Sequence, residues 1–133
     1  MTAATHTGRC LCGAVSFKIS GPLREVIVCH CGQCQHNHGG PAYYTSAEWK
    51  DIALDGKDRL RWYQSSPRAR RGFCAECGSS LFWEPIGEAR VSINAGALDE
   101  PTGLTIAKHI YVADKRDWYE IHDGLPQLPG TSR

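Results

Sequence analysis

Seven cysteines in three tight clusters constrain this chain more than any other feature. They are Cys10-Leu-Cys12-Gly13, Cys29-His-Cys31-Gly-Gln-Cys34 and Cys74-Ala-Glu-Cys77-Gly78. An odd number of thiols cannot pair completely, and Cys29, Cys31 and Cys34 sit too close along the chain to bridge one another well. No apolar run approaches the roughly 20 residues that cross a bilayer. The first nine residues hold no apolar stretch that could serve as a signal-peptide core. The expected location is therefore cytoplasmic, where thiols stay reduced and a dense cysteine set reads as metal-binding or catalytic.

A C-x-x-C pair followed by glycine has the form of a zinc knuckle. Two sulfurs reach one ion from a tight turn, and glycine accepts the positive φ such a turn often needs. Structural zinc takes four protein ligands in a tetrahedron, whereas catalytic zinc keeps three and leaves a position open. Seven divides into four plus three. The economical partition joins Cys10 and Cys12 to Cys74 and Cys77 in a closed site and leaves Cys29, Cys31 and Cys34 as a tripod from a single turn. Other partitions exist: Cys29 and Cys31 could join either knuckle, and His30 or His36 could complete the third site. Spacing alone does not choose among them.

Charge narrows the chemistry of an open three-thiolate site. Three thiolates outweigh the two positive charges of Zn²⁺, so the site is electron-rich and a poor acidifier of water. It suits a soft fourth ligand, a substrate thiol held as a zinc-bound thiolate and so made nucleophilic. Carbon–sulfur bond making or breaking follows, with a carbonyl compound as the partner of the thiol.

The rest of the chain reads as mainly antiparallel β. Val15, Phe17 and Ile19 alternate with polar or small residues, and Val26-Ile-Val leads into Cys29 as a more buried strand. Further candidate strands are residues 41–45, 60–64, 72–74, 80–84, 89–94 and 108–112, separated by turns at Gly21-Pro22, Asp55-Gly56, Ser66-Pro67, 85–87 and 101–103. Only two short helical turns are expected, at 31–38 and 114–119. With 133 residues the whole of 1–133 is expected to form a single zinc domain, with residues 1–7 and 128–133 as flexible ends. Lys and Arg number 15 against 14 acidic residues, a net charge of +1. That balance offers no general attraction to nucleic acid or to an anionic membrane.

In this order and spacing the clusters resemble the glutathione-dependent formaldehyde-activating (Gfa) family, also called the CENP-V/GFA domain. The matching stretches are 8–17 (Gly-Arg-Cys-Leu-Cys-Gly-Ala-Val-Ser-Phe), 29–35 (Cys-His-Cys-Gly-Gln-Cys-Gln) and 72–81 (Gly-Phe-Cys-Ala-Glu-Cys-Gly-Ser-Ser-Leu). Asn94-Ala-Gly-Ala-Leu-Asp99 and the run from Lys108-His-Ile-Tyr-Val to Trp118 extend the likeness over nearly the whole chain. The resemblance implies a β-tent of antiparallel sheets around a structural zinc. It implies two zinc ions per chain, one structural on Cys10, Cys12, Cys74 and Cys77, and one catalytic on Cys29, Cys31 and Cys34. The implied activity is a carbon–sulfur lyase reaction joining or splitting glutathione and formaldehyde as S-(hydroxymethyl)glutathione. The formaldehyde-activating enzymes proper are longer chains, and no local motif here marks glutathione-contacting residues.

Several other residues have a plain reading beside a sharper one. Arg68, Arg70 and Arg71 read as a solvated strand edge, or else as an anion clamp for the carboxylates of a peptide-like thiol. His30, between two ligands, reads as pointing away from the metal, or else as a proton relay. His36 and His38 read as loop residues, and Tyr43, Tyr44, Trp62, Trp83 and Trp118 as packing aromatics, with a pocket wall as the alternative. The competing function is a non-catalytic zinc module serving as a binding or scaffold protein. Exposed sheet edges leave room for a homodimer.

Overall fold

A computed structural model describes residues 5–131. The chain is mainly β, with one short α-helix among the described residues, as the alternation of apolar and polar residues predicts. It divides into two units, one built from the described residues up to Arg24 together with Thr45–Gly103, the other from Glu25–Tyr44 with the residues from Leu104 onward.

In the first unit, β1 (His6–Arg9), β2 (Ser16–Ile19) and β5 (Ile52–Asp55) make a three-stranded antiparallel sheet in the order β1-β2-β5. Register places Gly8 opposite Phe17 and Phe17 opposite Leu54. A second run of antiparallel strands has the order β9 (Arg90–Asn94), β8 (Ser80–Pro85), β7 (Ala69–Cys74), β6 (Leu60–Ser66). Period-two alternation sends Val15, Phe17 and Ile19 from one sheet and Phe82, Val91 and Ile93 from the other into a common buried core, Phe82 facing Ile93 across the pair. Its centre is aromatic. Phe82 lies 5.4 Å from Phe17, 5.5 Å from Trp49 and 6.1 Å from Trp62, ring centre to ring centre. Two sheets meeting over one core is the arrangement that the resemblance implies.

In the second unit, β3 (Val26–Cys29) is buried along its whole length, as the unbroken apolar run suggests. It pairs antiparallel with the first residues of β4 (Ala42–Glu48), Cys29 facing Ala42, and parallel with β10 (Ile106–Ile110), Ile110 facing Cys29. The parallel pair is a departure from an otherwise antiparallel pattern. The stretch between β3 and β10 is long enough for a crossover, which a parallel pair requires. Helix α1 (Gly32–His38) follows β3 after two residues and ends on Gly39 in the left-handed conformation.

The expected second helical turn at 114–119 falls slightly earlier, as a 3₁₀ turn over Val112–Asp114. Of the ends expected to be flexible, residues 1–4 and 132–133 lie outside the described residues. His6 and Thr7 stand in β1, and Leu128 donates its N–H to His109 O at 2.9 Å. Among the described residues no helix is long and apolar enough to cross a membrane.

Phe82 is 2% exposed at the meeting point of three other rings. Phe82→Ala is expected to lower the unfolding free energy by about 3–5 kcal/mol in urea denaturation. A loss under about 1 kcal/mol would show that the core can collapse around the gap.

Candidate functional site

None of the seven cysteines is in a disulfide. The structure brings them together as two groups, Cys10 with Cys12, Cys74 and Cys77, and Cys29 with Cys31 and Cys34, the sulfurs of each group lying within 4.8 Å of one another.

The first group is assembled by two turns of the first unit. Cys10 and Cys12 occupy the turn between β1 and β2, and Cys74 ends β7 with Cys77 in the turn that follows. Gly13 (φ 81°) and Gly78 (φ 79°) close these turns in the left-handed region that side chains avoid, which is the part the knuckle reading gives to glycine. Sulfur separations are 3.7 Å for Cys10–Cys12 and 3.8 Å for Cys12–Cys74. Bonds of 2.3 Å to a tetrahedral zinc require sulfurs about 3.8 Å apart. A disulfide would need about 2.05 Å. Backbone N–H groups point at the sulfurs, Val15 to Cys10 and Glu76 to Cys74, both at 3.3 Å. Ser79 joins the two turns, its Oγ taking the Leu11 N–H at 3.0 Å and lying 3.1 Å from the Cys77 sulfur. The Ser79 hydroxyl, then the N–H groups of Cys12 and Ser79, draw the Cys77 thiol down to about 5, into the thiolate form a metal needs.

The second group comes from one continuous segment. Cys29 ends β3, Cys31 caps α1 with its sulfur accepting the Cys34 N–H at 3.3 Å, and Cys34 sits in the helix's first turn. Cys29 and Cys34 are buried. The sulfurs of Cys31 and Cys34, with burial, raise the Cys29 thiol, because a third negative charge is unwelcome beside two others. A divalent cation reverses that penalty, so the donor set fits a soft metal. Among the described residues no histidine or carboxylate joins these three sulfurs within the same distance.

The histidines go elsewhere. His36 is exposed on α1, and His38 Nε2 lies 3.0 Å from the Tyr44 hydroxyl. His30 is fully buried, its Nε2 2.9 Å from His109 Nδ1, while His109 Nε2 lies 2.7 Å from Asp123 Oδ2. The Tyr119 ring stands edge-on to His30 at 5.0 Å. Burial, then His109 and Lys115, hold the His30 imidazole down to about 4, so it is neutral. His109 and Asp123 had no signal in the sequence beyond being polar, since only folding sets them in line with His30.

Tyr111, directly after β10, is the one non-glycine residue with positive φ among the described residues (φ 56°). Conformations of this kind cost about 1–3 kcal/mol and persist where the surroundings impose them. Burial, then Cys29, Cys31, the Asp114 carboxylate and Cys34, push its phenol upward, so the hydroxyl keeps its proton.

Of the arginines, Arg70 is bonded to Glu84 through Nε at 2.5 Å and lies over the Trp62 ring at 4.0 Å. Arg71 is buried and Arg68 exposed. The three therefore do not form one solvated edge. Trp62, half-buried, stacks on Phe82, and Trp118 is 64% exposed.

A family model described as "Glutathione-dependent formaldehyde-activating enzyme" matches residues 5–114. The chain belongs to that family. It is 30% identical over 125 residues to a Halomonas elongata protein named for glutathione-dependent formaldehyde activation, covering 86% of this chain and 79% of that one. It is 28% identical over 117 residues to an uncharacterized lyase of Schizosaccharomyces pombe, covering 87% and 85%. A crystal structure of a Rhodobacter sphaeroides protein shares the fold, with a TM-score of 0.61 at 22% identity over 75% of this chain and 97% of that one.

The two groups are expected to behave differently on mutation. Cys74→Ser, in a site that ties distant turns together, should lose one zinc and unfold at markedly lower temperature. Cys31→Ser should lose the other zinc while circular dichroism stays unchanged. Metal analysis with thermal melts checks both, and loss of fold in Cys31→Ser would make the second group structural too.

Proposed function

We propose that this chain is an enzyme of carbon–sulfur chemistry that joins a thiol to an aldehyde, or splits the adduct, with glutathione and formaldehyde as the leading pair. The observation that carries the reading is the one-sided donor set of Cys29, Cys31 and Cys34. Three sulfurs from a single turn hold one face of a metal and leave the other to a ligand from outside. A zinc ion held there would supply a soft open position that favours the thiolate form of an entering thiol. Cys10, Cys12, Cys74 and Cys77, four-fold and closed, serve structure in this reading.

The bond changes are simple. The thiol gives up its proton to solvent, the sulfur lone pair forms the C–S bond to the carbonyl carbon, the C=O π pair moves onto oxygen, and that oxygen takes one proton back to become the hydroxyl of the hemithioacetal. The reverse path releases both partners. Tyr111 is suited to the oxygen. Its protonated hydroxyl is a donor, and its strained backbone follows directly on Ile110, the register partner of Cys29. The name of the Schizosaccharomyces pombe relative supports a lyase reaction, and that of the Halomonas elongata relative supports the pairing of glutathione with formaldehyde.

Exchange spectroscopy on glutathione and formaldehyde, following the hemithioacetal signals by NMR, tests the reading. The zinc-loaded protein should speed exchange well beyond buffer, and Cys31→Ser should return it to the buffer rate. Tyr111→Phe should keep both zinc ions and slow the catalysed exchange by about 10²-fold. No acceleration by the wild type, with both zinc ions bound, would leave a zinc module without this activity.

A further inference from the structure

His30 lies between two ligands of the cysteine tripod and is held at three points. Its N–H donates to Ile110 O at 3.0 Å, its carbonyl accepts from Gln35 Nε2 at 3.2 Å, and its ring Nε2 meets His109 Nδ1 at 2.9 Å. The second imidazole meets Asp123 Oδ2 at 2.7 Å. Both rings are buried, His30 at 0% and His109 at 2% exposure.

Proton positions along this line follow from the carboxylate. Its oxygens only accept, so His109 Nε2–H donates to Asp123. A neutral His109 is then bare at Nδ1 and accepts from His30 Nε2–H. His30 is in turn bare at Nδ1, an atom that is buried and without a hydrogen-bond partner among the described residues. The bond from His109, then the N–H of Leu125, hold the Asp123 carboxyl below the ordinary range, so it stays ionised.

We propose that Asp123 and His109 are positioning residues for the cysteine tripod. They fix His30 as the Nε2–H tautomer, so that the Cys29–His30–Cys31 turn keeps one geometry and His30 Nδ1 stays a bare acceptor. The proposal rests on the reading of the tripod as the reacting centre, but the tautomer can be measured without any reaction.

Asp123 makes the idea sharply testable. Its other oxygen, Oδ1, accepts the Leu125 N–H at 3.0 Å. In Asp123→Asn the amide oxygen must stay with Leu125, since an amide nitrogen there would face another donor. The nitrogen then faces His109 Nε2, which must become the acceptor. Every proton on the line crosses its ring: His109 becomes Nδ1–H and donates to His30 Nε2, and His30 becomes Nδ1–H. One isosteric change at a residue 39% exposed thus reverses the protonation of two buried rings. It also leaves His30 with a buried donor in place of a buried acceptor.

The experiment is long-range ¹H–¹⁵N correlation on histidine-labelled, zinc-loaded protein at a pH of about 8, where an ordinary imidazole is neutral. The wild type should show both rings protonated at Nε2, and Asp123→Asn both at Nδ1. Asp123→Ala, where water can donate or accept, should show both forms. In chelator competition Asp123→Asn should hold the tripod zinc about tenfold more weakly and the other zinc unchanged. A wild-type His30 protonated at Nδ1, or rings that do not respond in Asp123→Asn, overturns the tautomer lock. Inverted rings with unaltered tripod zinc overturn the positioning role. Absence of thiol–aldehyde exchange in the wild type would instead count against the function proposed above, and leaves these two measurements to decide.

Discussion

Crowded sulfurs with like charge are the constraint around which this chain is arranged. Thiolates a few ångströms apart repel strongly in a partly buried setting, and only a cation between them turns that repulsion into cohesion. In the first group the sulfurs come from turns more than sixty positions apart in sequence, at the ends of β1 and β7. A metal held there would close a long loop and clamp the three-stranded sheet to its facing strands. The aromatic cluster of Phe17, Phe82, Trp49 and Trp62 fills the space so enclosed. A metal there and apolar burial would act on the same closure from two sides, and neither would have to supply the whole of it.

The second group obeys the same electrostatics with a different geometry. Its sulfurs are local, set by the end of one strand and the first turn of one helix, so occupancy by metal closes no long loop. In the reading proposed above, that difference separates a tie that holds a fold from a seat that can exchange what it holds. The backbone around the seat is nonetheless well fixed. β3 is flanked by β4 and β10, and a residue in a strained conformation follows directly on β10. Such rigidity suits a site whose work is to present one reactive atom in one direction.

Much of this was legible in the chain itself, for reasons that can be named. The cysteine spacings specify turns, and period-two alternation at Val15, Phe17 and Ile19 specifies a strand with one dry face. β1 and β5 carry no such signal, because His-Thr-Gly-Arg has no apolar alternation and Ile-Ala-Leu-Asp runs straight into a turn signal. Both are strands because β2 lies between them and offers its hydrogen bonds on two sides. The partition of the cysteines was open on spacing alone, since several sets of four can reach one ion. Only three-dimensional proximity separates them. His109 and Asp123 were silent for the same reason, because a line of hydrogen bonds between residues 30, 109 and 123 leaves no periodic or spacing signature. Arg70 and Arg71 looked like a surface run, yet neighbours on a strand face opposite ways, and the fold buries Arg71 while laying Arg70 over Trp62.

The stretch after Asp123 bears on association between copies of this chain. Pro126 and Leu128 exchange backbone hydrogen bonds with His109, and Leu128 and Gly130 accept from Val112 and Tyr111. These residues run alongside β10 as a selvedge, occupying amide groups that would otherwise form a bare rim. A naked strand margin invites another chain to zip onto it, and a hemmed one does not. Self-association along that border is thereby discouraged by the same few residues that steady the strand carrying His109.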